Sequence, residues 1–278
     1  QMCIRDRGGR YRQDKSVTYI YDIFSKKLTE VAPFTVDLLL PSGAENLNYV
    51  LYTDESPYKM QREWLDRLPF DIYSVNVHTG AKRLIGRSYR TAPKWSVNGK
   101  WAVMYDPIAQ VWNKFDGATG KVVNISDAIG YPMFMESYDK PAPAPAYGIA
   151  GWTADGNNVF LYDAYDWWKT DLTGERQPEC LTKGYGRKHG KSIRKMTSNI
   201  DKDVFQKDEK VIVSLWDKDT MDEGVYQLDM KGRLRKLMEG NYVYTIHRFS
   251  DNHEYCVWNR QNVSEFRDLW WSKSDFSN

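Results

Sequence analysis

The chain has 278 residues, of which 41% are hydrophobic, 27% are charged and 14% are aromatic, and its formal net charge is only +2. A chain of this length can bury a core without disulfides or metal ions. The balanced charge and the lack of an apolar run of about 18 to 20 residues weigh against nucleic-acid binding and against a membrane span. Three cysteines without a C-x-x-C pair predict neither a disulfide framework nor a zinc site, and we expect no cofactor.

Residues 1–15 begin with QMCIRDR and carry neither the apolar stretch of a secretory signal nor a helical or strand period. We therefore expect a poorly structured or artefactual leader over 1–15 and a folded domain over 16–278. On the same reading the chain is expected to be a fragment whose natural start lies upstream.

From residue 16 onward the sequence repeats itself. A small polar turn followed by an aromatic or β-branched run that ends on Asp or Asn recurs at 46–54, 98–106, 155–163, 208–217 and 251–259. A second signature, a strand, a tight turn and another strand, recurs at 71–85, 111–125, 167–181 and 225–237. Thr-Gly or Lys-Gly pairs at these turns supply the positive φ that a tight hairpin favours.

A unit of roughly 40 to 55 residues with four antiparallel strands is typical of a β-propeller blade, which cannot bury both faces unless it stacks on neighbouring blades. We predict an all-β fold with about five to six blades, forming an incomplete ring. A β-sandwich is the alternative, but it does not explain the paired signatures.

Few residues carry recognisable chemistry. No nucleophile elbow, P-loop or dinucleotide fingerprint occurs. The histidines share no motif with a serine, a cysteine or paired carboxylates, so we expect no metal site. One dense basic stretch, 184–195, contains Arg187 and Lys188. It is interpreted either as a solvated loop or as a cationic rim that attracts an acidic peptide terminus or a partner domain.

Two further features invite structural predictions. The insertion 55–70 spaces Met60, Trp64, Leu65 and Leu68 as in a short amphipathic helix that stops before Pro69. The Trp pairs at 167–168 and 270–271 could form sugar-stacking platforms, but neighbouring strand residues face opposite ways, so packing between blades is the simpler interpretation.

The segments KWSVNGKWAVMYD, PAPAYGIAGWTADGNNVFLYDAYDWWKTDLTGE, LTKGYGRKHGKSIRK and VSEFRDLWWSKSDF, taken in this order, resemble the propeller region of prolyl oligopeptidase family serine peptidases, particularly large bacterial members related to dipeptidyl peptidases. The resemblance covers nearly all of residues 16–278. It implies a propeller coupled to an α/β-hydrolase domain that follows it, a peptide substrate, and a periplasmic or secreted protein. No catalytic triad residue falls within this chain.

The same resemblance implies where substrate could be held. Dipeptidyl peptidases hold the substrate amine with paired glutamates, whereas Glu63 stands alone in the 55–70 insertion, and Glu136 and Glu265 lie in other loops. The candidate substrate-binding residues are Glu63, from this comparison, and Arg187 and Lys188, from the basic stretch, and both exopeptidase and endopeptidase modes stay open.

Two functional hypotheses follow from the sequence. In the first, the chain is the non-catalytic propeller portion of a serine peptidase and gates peptide access to its hydrolase domain. In the second, it is a stand-alone propeller that binds a protein or glycan ligand, because a propeller fold does not dictate function. A propeller enzyme that uses its own central channel is a weaker third possibility.

Overall fold

The computed structural model describes residues 17–33, 37–39, 47–65, 67–196, 203–252 and 254–276. The predicted leader 1–15, Cys3 and His253 lie outside the described residues. The described chain falls into two compact units. Unit 1 comprises the described residues up to Trp95 together with Gly99–Met104 and Phe115–Val122, and unit 2 comprises Ser96–Asn98, Tyr105–Lys114 and the described residues from Val123 onward.

The strands up to residue 89 form two sheets in unit 1. The first sheet is a hairpin of β1 (Thr18–Asp22) and β2 (Lys27–Ala32). The second sheet is antiparallel and has four strands, β3 (Asp37–Leu39), β4 (Tyr49–Asp54), β5 (Phe70–Asn76) and β6 (Lys82–Tyr89). A 3-10 helix, Ser56–Glu63, lies between β4 and β5.

The third sheet also has four strands, and the boundary between the units passes through it. Its strands, in chain order, are β7 (Lys94–Trp95), β8 (Trp101–Asp106), β9 (Val111–Asp116) and β10 (Val122–Asn124). A short 3-10 helix, Asp127–Ile129, follows β10.

Three further sheets lie in unit 2. The fourth sheet combines β11 (Ile149–Thr153), β12 (Asn158–Tyr162), β13 (Trp167–Asp171), β14 (Glu179–Cys180) and, added in parallel at the edge of β11, β16 (Val204–Phe205). The fifth sheet contains β15 (Lys191–Lys195), β17 (Lys210–Asp217), β18 (Glu223–Asp229) and β19 (Leu234–Gly240). The sixth contains β20 (Val243–Phe249), β21 (Tyr255–Gln261) and β22 (Asp268–Lys273). Helix α1 (Tyr185–Lys188) joins β14 to β15.

These sheets confirm the predicted all-β propeller fold. Each copy of the first repeat overlaps the second strand of a sheet in chain order, namely β4, β8, β12, β17 or β21, and each copy of the second repeat overlaps the hairpin that follows. The turn glycines have the predicted positive φ, for example +75° at Gly80 and +88° at Gly174. Within the described residues, a closed ring is not detected.

Burial explains why the second strands are so apolar. In β4, Leu51 packs in one hydrophobic cluster, whereas Val50 and Tyr52 pack in another on the opposite face. In β18, Val225 and Tyr226 are likewise assigned to two different clusters. A sheet that is covered on both faces is what the stacking of propeller blades requires, so its central strands are apolar on both sides.

The aspartate that ends the repeat has a common structural role. Oδ1 of Asp54, Asp106 and Asp217 accepts a hydrogen bond from the backbone N–H two residues later, at 2.8 to 2.9 Å. This is an Asx turn, which bends the chain as it leaves the strand. Asp163 makes the same turn through the N–H groups of Tyr165 and Asp166, both at 2.6 Å.

Candidate functional site

The basic stretch 184–195 forms helix α1 and then strand β15, in unit 2. Arg187 and Lys188 are the last two residues of α1, and consecutive positions of a helix point their side chains in different directions. The helix is a single turn and packs against the loop that joins β12 to β13, which carries Asp163 and Asp166. Its position thus depends on that loop rather than on its own helical propensity.

Asp166 fixes the start of α1. Its buried carboxylate accepts hydrogen bonds from the backbone N–H groups of Gly186 and Arg187, both at 2.9 Å, and from the Thr182 hydroxyl at 2.6 Å. These donors would otherwise be unsatisfied at the helix start. A buried carboxylate is tolerated here because both of its oxygens accept hydrogen bonds.

Asp163 holds the end of the same helix. Its side chain is fully buried, and Oδ2 accepts hydrogen bonds from the Trp168 indole N–H at 3.1 Å and from the Arg187 guanidinium at 3.0 Å. Together with the Asx turn, the carboxylate therefore accepts four hydrogen bonds. At Asp54, Asp106 and Asp217 the same repeat position makes the turn; at Asp163 it also binds a cation.

Arg187 lies between this carboxylate and two tyrosines. Its guanidinium is 3.9 Å from the ring centroid of Tyr131 and 5.0 Å from that of Tyr165, within the range of cation–π attraction. Burial acts to lower the pKa of the Arg187 guanidinium, but the hydrogen bond and charge of Asp163 outweigh it, so the pKa lies above its ordinary value. Arg187 is therefore fixed in place and permanently charged, with about a third of its side chain exposed.

Arg194, further along the same basic stretch, has a structural role. Its guanidinium donates to the backbone oxygens of Asp163 at 2.7 Å and Ile193 at 2.8 Å, and it lies 4.7 Å from the Tyr162 ring. Burial lowers the pKa of this guanidinium. Arg194 is thus a largely buried side chain whose hydrogen bonds hold β15 against the β12–β13 loop.

Lys188 differs from both arginines. It is exposed, and within the described chain no hydrogen bond or ion pair is found for its ammonium group. A second ammonium group lies nearby, because Lys218 Nζ is 3.9 Å from the ring centroid of Tyr165. We name the surface formed by Tyr131, Tyr165, Arg187, Lys188 and Lys218 the cationic edge. Its geometry offers positive charge beside partly exposed tyrosine rings.

Glu63, the third predicted site residue, ends the 3-10 helix Ser56–Glu63 in unit 1. Its side chain is exposed and has no hydrogen bond or ion pair with another described residue. The structure describes each unit by itself, so a site shared by Glu63 with Arg187 and Lys188 stays a prediction.

The predicted amphipathic helix of the 55–70 insertion is partly wrong. The segment is helical, but as a 3-10 helix that ends at Glu63, well before Pro69, and Met60 and Trp64 are 84% and 75% exposed. Spacings of three and four residues bring side chains onto one face of an α-helix, whereas a 3-10 helix has three residues per turn and spreads them. Of the four apolar residues that predicted the helix, only Leu68, which lies beyond its end, is buried.

The prediction that the Trp pairs pack between blades is confirmed for one pair and not for the other. Trp167 and Trp168 are buried, which confirms the packing interpretation for them. Trp270 stacks on Trp258 with ring centroids 5.8 Å apart and is 42% exposed, and Trp271 is 74% exposed. Packing between blades therefore does not account for Trp271 in the described structure.

Other candidate chemistry is sparse. Within the described ranges, no group of three or more His, Cys, Asp or Glu side chains is arranged to hold a metal ion. Cys180 and Cys256 are free thiols, and burial raises the pKa of both. Among the helices of the described residues, none has the length and apolar character needed to span a membrane.

Arg187 and Lys188 were predicted from the sequence, but the groups that hold Arg187 and its helix were not. Asp163 was included only as the end of a repeat, and Asp166 and Tyr131 were not singled out. One signal was available: the DAYD segment, 163–166, has a second aspartate three residues after the repeat position, whereas the other copies of the repeat do not.

No protein-family model and no curated protein matches the chain. Among solved structures, TolB from Acinetobacter baumannii is 15% identical, with a TM-score of 0.41, over 93% of this chain and 57% of that one. Dipeptidyl peptidase 4 from Porphyromonas gingivalis is 12% identical, with a TM-score of 0.47, over 92% of this chain and 41% of that one. Oligopeptidase B from Leishmania major is 13% identical, with a TM-score of 0.42, over 86% of this chain and 33% of that one.

The chain therefore spans little more than half of the TolB structure and less than half of either peptidase. At these identities and TM-scores, the similarities assign neither a family nor an activity to it.

Proposed function

We propose that the chain is the non-catalytic propeller of a serine peptidase, and that it binds peptides and restricts their access to a hydrolase domain in the same protein. The resemblance of its ordered segments to prolyl oligopeptidase family propellers supports this proposal. The same resemblance would place the protein in the periplasm or outside the cell.

One structural observation carries the proposal, namely the way the cationic edge is built. Two buried aspartates, Asp163 and Asp166, fix a one-turn helix in which Arg187 lies against tyrosine rings and the next residue, Lys188, is exposed to solvent. A fixed positive charge attracts the carboxylate at a peptide C-terminus, and the partly exposed rings offer contact area for its side chains. In this proposal, Lys188 and Lys218 contact the peptide, and Arg187 positions Lys188.

The first test measures peptide binding by calorimetry. A neutral, N-acetylated pentapeptide with a free C-terminal carboxylate should bind more tightly than its C-terminal amide. Lys188→Gln should weaken binding of the acid roughly two- to fivefold, the value of one exposed charge pair, and should leave the amide unaffected. Lys207→Gln, an exposed lysine in a turn of the same unit, is the matched control and should leave both peptides unaffected.

The second test addresses catalysis. A fluorophosphonate probe should leave the chain unlabelled, since the proposal places the reactive serine in another domain. Equal binding of the peptide acid and the peptide amide would contradict the binding proposal. Labelling of a serine in this chain would contradict the non-catalytic assignment.

A further inference from the structure

A second cationic feature lies in unit 1, far along the sequence from the cationic edge. A cavity of about 510 Å³ is found where the 3-10 helix meets the start of β5 and the end of β6. Three arginine side chains line it, from Arg62, Arg67 and Arg90, together with one acid, Glu55. We name it the arginine pocket. Its volume lies within the range of small-molecule and peptide side-chain sites.

Hydrogen bonds to the sheet fix the wall of this pocket. Buried Asp71 of β5 accepts a hydrogen bond from the Tyr58 hydroxyl at 2.6 Å and another from the Ser88 N–H at 3.1 Å. Its carboxylate therefore ties the 3-10 helix to β6. The Asx turn of Asp54 fixes the entry to the same helix. The segment is thus held in place even though its own apolar side chains are exposed.

The charges in the arginine pocket are poorly compensated. Glu55 lies 3.9 Å from Arg62, but both side chains are largely exposed, and such a pair contributes little. Within the described residues, neither Arg67 nor Arg90 has an ion pair. Three guanidinium groups around one cavity repel one another, and an anion in the cavity would relieve that repulsion.

The apolar residues that line the arginine pocket indicate a ligand with an apolar part as well as a negative charge. Leu68 is buried, and Phe70 is partly buried beside it, so the pocket has an apolar wall as well as its arginines. Guanidinium groups bind carboxylates and phosphates in bidentate geometry. An inorganic anion would use the arginines alone, whereas an acidic side chain with an apolar neighbour would use both surfaces.

We propose that the arginine pocket binds carboxylate side chains of an acidic peptide segment. This site is formed by other residues than the cationic edge and does not require a hydrolase domain. A peptide without a free C-terminus can occupy it, which allows the two sites to be tested apart.

The experiment is calorimetric titration of the chain with acetyl-Glu-Leu-Glu-Phe-amide, which carries side-chain carboxylates but no terminal charge. The expected result is binding that weakens as salt is raised, because the pocket is open to solvent. The double variant Arg67→Gln/Arg90→Gln should weaken binding about tenfold or more, since charge-assisted bidentate contacts are lost. Arg83→Gln, an exposed arginine of β6 outside the pocket, is the matched control and should bind as the unmodified chain does.

Two further titrations complete the test. Acetyl-Gln-Leu-Gln-Phe-amide should not bind measurably, and Lys188→Gln should leave binding of the acidic peptide unchanged. The proposal is overturned if the acidic peptide does not bind, if the Gln peptide binds equally well, or if Arg83→Gln weakens binding as much as the double variant. It is also overturned if inorganic phosphate binds as tightly as the peptide, since the pocket would then be a general anion site.

Discussion

Arginine has different surroundings in the cationic edge of unit 2 and in the arginine pocket of unit 1. In unit 2, the Arg187 guanidinium pairs with a fully buried carboxylate and stacks on Tyr131, so its charge contributes to holding the fold. In unit 1, three arginines line the arginine pocket, and Glu55 is the one acid among the described residues of its lining. Removing one partner from a buried pair destabilises a protein, because the other partner is left uncompensated. Arg67 and Arg90, which have no ion pair among the described residues, are instead available to a ligand.

Removing Asp163 from unit 2 and Glu55 from unit 1 should give the largest difference in the free energy of unfolding. Asp163→Ala leaves the partly exposed Arg187 guanidinium, the Trp168 indole N–H and two backbone N–H groups without their acceptor, and we expect the free energy of unfolding to fall by about 4 kcal/mol. Glu55→Ala removes an exposed acid and should change it by less than about 0.5 kcal/mol. Urea unfolding followed by tryptophan fluorescence measures both, and equal losses would contradict the comparison.

Removing one arginine from each region is the next test. Arg187→Gln loses a charge-assisted hydrogen bond to Asp163, and we expect a loss of about 2 kcal/mol because the other donors to that carboxylate remain. Arg90→Gln should change stability by less than about 0.5 kcal/mol. If Arg90→Gln destabilised the chain as much as Arg187→Gln, the arginine pocket would be a structural cluster and not a free site.

The aromatic side of the cationic edge should have a smaller effect. Tyr131→Ala removes the ring that lies 3.9 Å from Arg187, and about 1 kcal/mol of stability should be lost. Tyr131→Phe keeps a ring face over the guanidinium and should retain most of that stability in the same urea measurement. A phenylalanine variant as unstable as the alanine variant would assign the effect to the hydroxyl group instead.

The smallest expected change in stability concerns Glu223, a partly buried carboxyl group in unit 2. Burial raises the pKa of its carboxyl, although the Tyr244 N–H donates to it at 2.8 Å and acts to lower that pKa. Ionisation of Glu223 is therefore less favourable in the folded state than in the unfolded state. Its contribution to the free energy of unfolding falls as the pH rises from its unfolded pKa through its higher folded pKa.

Glu223→Gln should remove that part of the pH dependence and should be more stable than the unmodified chain at neutral pH. Below the unfolded pKa, where the glutamate is neutral in both states, the advantage should vanish. Thermal unfolding between pH 4 and pH 8 measures it, and a variant that is less stable at neutral pH would contradict the sign.

Local patterns in the sequence were sufficient to predict the blades. The apolar runs that end on Asp54, Asp106 and Asp217 identify the second strands and, through their Asx turns, the bends that follow them. Strand β16 was not predicted, because a two-residue parallel strand has no period of its own and forms only where the edge of β11 is available.

The sites were less predictable because they depend on contacts distant in sequence. The basic stretch indicated Arg187 and Lys188 but did not separate a paired cation from an exposed one. That separation depends on Asp163, 24 residues earlier. The arginine pocket was not predicted at all, since Arg90 joins Arg62 and Arg67 only once β6 pairs with β5.

The proposed peptidase assignment is tested most directly by reading the coding DNA on both sides of this segment. We expect one open reading frame in which a G-x-S-x-G motif, then Asp and then His follow the propeller, and a fluorophosphonate probe should label that serine in the full-length protein. A stop codon directly after the codon for Asn278 would contradict the assignment and leave a stand-alone binding propeller.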